Sequence, residues 1–171
     1  VVLYFNEPDG SKQSNLTVDT AVTLWNQYAH RTHRMGSPAT ASNPLSPGGW
    51  FEQFMSRVDI KPDFIAMHWY APPNPDSLLT TVDGLYLKYK VPIWITEFAV
   101  ADWTGRSRYT PDQVLSFMKT VLPQLEMRPY VEKYSWKTRT LSDPCLGASS
   151  IFNDDGSLTS LGQFYSSYTP L

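Results

Sequence analysis

Two rhythms of apolar residues run along this chain. Short apolar runs at VVLYF (1–5), FIAMHWY (64–70), VPIWITEF (91–98) and VEKYSWK (131–137) read as strands, with MGSPA (35–39) as a very short fifth. The first is expected to be buried. FIAMHWY and VPIWITEF are apolar on both faces, as strands in a covered parallel sheet are. Between them the spacing changes to i, i+3, i+4, i+7. Val18, Ala21, Val22, Trp25, Tyr28 and Ala29 form one helical stripe, and Phe51, Phe54, Met55 and Val58 a second. Leu78, Leu79, Val82, Leu85, Tyr86 and Tyr89 form a third, and Val114, Leu115, Met118, Val121, Leu122 and Leu125 a fourth. The fourth starts most clearly: Thr110 suits the N-cap, Pro111 the first helical position, and Gln113 completes a capping box. A short last helix is predicted from about Thr159 to Tyr168.

The order is β-α repeated five times, which predicts an α/β fold with a parallel sheet and helices outside it. Two architectures satisfy that order, a doubly wound open sheet and a (β/α)8 barrel. Both keep their chemistry at the C-terminal ends of the strands.

Composition narrows the function classes. The 171 residues suit one domain with a core of its own. Fourteen Lys and Arg against sixteen Asp and Glu give a net charge of −2, which argues against nucleic acid or an anionic membrane as partner. No apolar run reaches the ~20 residues of a membrane span. The chain opens without Met or a signal-peptide pattern, so targeting is not legible here. Cys145 is the lone cysteine, which leaves no intrachain disulfide and no zinc site of the CxxC type. His30, His33 and His68 do not converge in the pattern, so no metal is expected. Asn15-Leu16-Thr17 is an N-glycosylation sequon, and Thr17 also suits the cap of the first helix.

The strand ends carry the candidate chemistry. Asn6 and Glu7 follow the first strand; His68, Trp69 and Tyr70 finish FIAMHWY; Glu97 finishes PIWITEF; Trp136 finishes the last strand. Two glutamates at two strand ends suggest paired carboxylates. One, protonated, can give its proton to a leaving oxygen while the other attacks a sugar carbon, which cleaves a glycosidic bond without metal or cofactor. His68 and Tyr70 share strand parity, so both face one side, and Trp69 faces the outer helices. Trp25 reads as core, while Trp50 and Trp103 fall in loops.

LYFNEPDGSKQSNLT, LWNQYA, GSPA, FIAMHWY, PIWITEFAV, VEKYSWK and GSLTSLGQFY, in that order, resemble glycoside hydrolase family 128, whose members are endo-β-1,3-glucanases with a glycosyl hydrolase catalytic core. The resemblance runs from Val1 to about Tyr168 and implies a retaining clan A enzyme on a (β/α)8 TIM barrel. VVLYF would then be strand four, and residues 1–171 the C-terminal part of one catalytic domain, truncated at its N-terminal side. It implies Glu7 as acid/base and Glu97 as nucleophile. Asn6 would bind the sugar 2-hydroxyl, Tyr70 would donate to Glu97, and Trp136 would lie under the reacting sugar. His68 and Trp69 join the substrate-binding candidates, with Trp103 a looser one. It further implies a secreted monomer that acts on cell-wall or storage β-1,3-glucan without a cofactor. Another β-glucan or a mannan as substrate, or a non-catalytic carbohydrate-binding barrel, stay open as alternatives.

Overall fold

The computed structural model describes residues 1–29 and 33–170. His30 lies outside them, and His33 is exposed. The elements follow the predicted order: β1 (Val2–Leu3), α1 (Val18–Tyr28), β2 (Met35–Gly36), α2 (Trp50–Arg57), β3 (Ile65–Ala71), α3 (Pro75–Tyr89), β4 (Ile93–Val100), α4 (Pro111–Glu126), β5 (Val131–Trp136) and α5 (Ser160–Ser167). The 3-10 turn at Gly147–Ser149 was not legible in the sequence. Trp50 opens α2 and does not sit in a loop.

The (β/α)8 TIM barrel implied by the resemblance is not what the described residues form. They make two small parallel sheets, β1-β2 and β3-β4-β5, with five helices and no closed barrel. The physical reason is strand number. Closure of that barrel takes eight strands, and five are described, two of them only two residues long. Strand-helix alternation reports a parallel sheet equally well when the sheet stays open. A parallel bridge between Gly36 and Phe64 leads from the smaller sheet to the start of β3. No described helix is long and apolar enough to cross a membrane.

The chain divides into two compact units. The first holds Val1–His68, Thr81–Thr96 and Tyr130–Lys133; the second holds Trp69–Thr80, Glu97–Pro129 and Tyr134–Leu171. In the first, Trp25 of α1 is fully buried, edge-on to Phe54 at 5.4 Å, with its indole N–H donating to the Ile60 carbonyl at 2.8 Å. Thr17 caps α1 by accepting from the Thr20 N–H. Phe64 stacks on Trp94 at 4.0 Å, and the Arg34 guanidinium lies over both rings while pairing with Glu132 at 2.6 Å. Gly36 permits this packing, because a Cβ there would sit 2.6 Å from the Phe64 ring.

β1 departs from its expectation. It is only two residues long, and Val2 and Leu3 are 38% and 53% exposed. An apolar run announces a strand, whereas burial depends on what packs against it.

In the second unit α4 carries the core, with Val114, Phe117, Met118, Val121, Leu122 and Leu125 all buried. Its capping box is formed as predicted: Gln113 N–H donates to Thr110 Oγ1, and Thr110 N–H donates to Gln113 Oε1. Phe98 of β4 meets Trp136 of β5 edge-on at 4.9 Å. α5 starts from Thr159, whose hydroxyl accepts from the Gly162 N–H.

Candidate active site

Asn6 and Glu7 lie just beyond β1. Asn6 forms a parallel bridge with Ala39, and the Glu7 N–H donates to the Ala39 carbonyl at 2.8 Å. Glu7 has φ of 42°, in the left-handed region that side chains seldom adopt. The turn is tied from both sides. The Asn6 carbonyl accepts from the Ser14 hydroxyl at 2.6 Å, and Asp9 accepts from the N–H groups of Ala41 and Ser42 at 2.8 and 2.9 Å. The loop thereby holds a backbone conformation it would not hold alone, and aims one carboxylate. Glu7 Oε1 lies 2.9 Å from Nδ1 of His68, whose side chain is 4% exposed. With Glu7 ionised, the His68 Nδ1–H is the donor. Asn6 is exposed, and its amide donates to Gln13.

A second group forms around Glu97. The Tyr70 hydroxyl donates to Glu97 Oε2, and the Lys137 ammonium lies 3.3 Å from Oε1. Glu97 does not end its strand, as the sequence reading had it. β4 runs on through buried Phe98, Ala99 and Val100, because these apolar residues continue the same two-sided pattern. Trp103 is 64% exposed, donates its indole N–H to the Tyr70 carbonyl at 3.2 Å, and meets the Tyr70 ring edge-on at 5.9 Å.

The parity argument for β3 holds. His68 and Tyr70 each reach a glutamate, while Trp69 points away and stacks on Phe117 of α4 at 5.3 Å. Trp69 therefore packs the core and is set aside as a sugar contact. Trp136 is 6% exposed and donates its indole N–H to the Ser149 carbonyl at 2.9 Å.

Two residues escaped the sequence reading. Lys137 is one, since a lysine after a strand carries no pattern of its own. Asp102 is the other. It is buried, and its carboxylate accepts from Thr104 N–H and Oγ1, from Arg108 Nε at 3.0 Å and from Arg108 N–H at 2.9 Å. This knots the loop that carries Trp103. The Arg108 hydrogen bond, helped by Thr104, holds the Asp102 carboxyl well below the usual carboxylate range. A lowered folded-state pKa stabilises the fold above the unfolded value, near 3.9, and that stabilisation is lost as pH falls through the folded value. Asp102→Asn is therefore expected to melt below the parent at pH 7, with the gap narrowing below about pH 4. Thermal melts across that range check it; a gap that widens in acid contradicts it.

A family model described as the glycosyl hydrolase catalytic core matches residues 1–165. The chain belongs to the glycosyl hydrolase catalytic core family. An endo-β-1,3-glucanase of glycoside hydrolase family 128 from Amycolatopsis mediterranei, solved with laminaritriose and laminaribiose, matches this family member with a TM-score of 0.85 at 30% identity. The match covers 98% of this chain and 71% of that one. Structures of that enzyme with one or the other of two glutamates replaced hold laminari-oligosaccharides. An oligosaccharide-binding protein of the same glycoside hydrolase family, from Cryptococcus neoformans, matches with a TM-score of 0.80 at 25% identity, over 98% of this chain and 68% of that one. Alkali-sensitive linkage protein 1 of Schizosaccharomyces pombe is 33% identical over 96% of this chain, and the chain spans 32% of that protein's length.

Proposed function

We propose that this glycosyl hydrolase core serves a retaining endo-β-1,3-glucanase. Glu97 is the nucleophile, Glu7 the acid/base, and the substrate an extracellular β-1,3-glucan. The observation that carries this reading is the pair of side chains on one face of β3. His68 holds one glutamate and Tyr70, two residues on, holds the other. Residues i and i+2 of a strand stand side by side, which favours two carboxylates serving one saccharide.

The two environments suit two roles. Tyr70 and Lys137 place donors on both oxygens of Glu97, which favours the ionised form a nucleophile needs. In the first step a Glu97 oxygen bonds to the anomeric carbon, and the bond to the leaving oxygen breaks as Glu7 protonates it. In the second, water attacks that carbon, gives its proton to Glu7, and frees Glu97. Asn6, exposed beside Glu7, is the candidate partner of the 2-hydroxyl. Trp136, the residue before Lys137 at the end of β5, is the candidate floor under the reacting sugar.

The substrate assignment draws on the laminari-oligosaccharides bound by the Amycolatopsis enzyme. The test is laminarin hydrolysis followed by proton NMR. The expected result is internal cleavage to oligosaccharides of mixed size, with the β-anomer released first. Release of the α-anomer first overturns the double displacement. Binding of laminarihexaose without hydrolysis favours a second reading, a carbohydrate-binding protein, for which the Cryptococcus neighbour is the precedent.

A further inference from the structure

We propose that Lys137 is a positioning residue that tunes Glu97 as a leaving group, so that its main effect falls on release of the enzyme-bound sugar. The proposal rests on Glu97 being the nucleophile. Tyr70 holds Oε2, and the Lys137 ammonium stands 3.3 Å from Oε1. The lysine backbone is fixed beside its target, since its N–H donates at 2.9 Å to the carbonyl of Phe98, the residue after Glu97. The side chains of Lys137 and Glu97 are 32% and 29% exposed, so water screens the pair in part.

The charge balance locates the effect. When an oxygen of Glu97 bonds to the anomeric carbon, the aglycone oxygen leaves with the proton from Glu7, and the carboxylate becomes a neutral ester. Lys137 then faces no charge on Glu97. When water replaces the ester, the C–O electron pair returns to Glu97 and the negative charge reappears beside the ammonium. Lys137 therefore favours the carboxylate over the ester at both ends of the cycle. Removing it makes Glu97 a stronger nucleophile and a poorer leaving group. For a partly exposed ion pair the change is about fivefold in rate.

The test uses 2,4-dinitrophenyl β-laminaribioside, whose aglycone departs without acid help, so that release of the sugar limits turnover. For Lys137→Met, kcat is expected to fall about fivefold and KM to fall with it, leaving kcat/KM within about twofold of the parent. Lys137→Arg is expected to restore both, and thermal melts confirm that the variants fold. Unchanged kcat and KM overturn the proposal. So does a raised KM with lowered kcat/KM, which marks a lysine that binds sugar or supports the fold. The nucleophile reading is judged apart, by mass spectrometry after reaction with the 2-deoxy-2-fluoro analogue. A label on the Glu97 peptide upholds it, and a label on another carboxylate overturns both.

Discussion

Glu97→Gln is expected to lower laminarin turnover by at least about 10^3-fold, about 4 kcal/mol of barrier, while affinity for a laminari-oligosaccharide changes little. The argument starts from shape. Glutamine keeps the length of the side chain and an oxygen that accepts from the Tyr70 hydroxyl, so that hydrogen bond has a substitute. What it lacks is the charge. An amide oxygen is a poor nucleophile toward an anomeric carbon, and a neutral group gives no electrostatic help to the positive charge that develops there. Nor does the fold have reason to suffer, because Glu97 and Lys137 are both partly exposed and the ammonium can be hydrated when its partner turns neutral. Reducing-sugar release measures the turnover, and calorimetry with laminarihexaose measures the binding. Turnover within tenfold of the parent would remove Glu97 from the role of nucleophile. Lost turnover with lost binding would point to a collapsed site.

What the sequence could show depended on how local each feature is. The helix starts were legible because capping is a local contract: Thr17 with Thr20, and Thr110 with Gln113, form within four residues. The opposite facing of Trp69 and its neighbours His68 and Tyr70 was legible because strand parity is local too. Burial of β1 was not, since it depends on partners elsewhere in the chain. Sheet closure was not, since alternation gives the order of strands and says nothing about their number in one sheet. Asp102 shows the limit most clearly. Its partners Thr104 and Arg108 sit in an aperiodic loop, and nothing in ADWTGRSR announces that the aspartate is buried while the tryptophan after it is exposed. The left-handed turn at Glu7 has the same character: NEPDG marks a turn, but the strain appears only with Ala39 and Ala41 in place.

Replacement of Glu7 by alanine separates the two glutamates by chemistry. Glu7→Ala is expected to lower laminarin turnover by about 10^2- to 10^4-fold, the usual worth of a placed acid/base. A sugar alkoxide cannot leave unprotonated at neutral pH, so the first step stalls on the natural substrate. Dinitrophenolate can leave unaided. With 2,4-dinitrophenyl β-laminaribioside the first step should therefore proceed at close to the parent rate, and the second, deprived of its base, should become limiting. The signature is a burst of dinitrophenolate equal to the enzyme present, followed by slow turnover. Azide needs no base to attack, so it should restore turnover and yield the β-glycosyl azide, with configuration retained. Loss of the Glu7 partner of His68 lowers stability, while the left-handed strain at residue 7 persists because alanine also carries a Cβ, and a melt on the same sample keeps stability apart from rate. Equal losses on both substrates, without a burst and without rescue by azide, would mean that Glu7 transfers no proton. The pairing seen with His68 would then be structural.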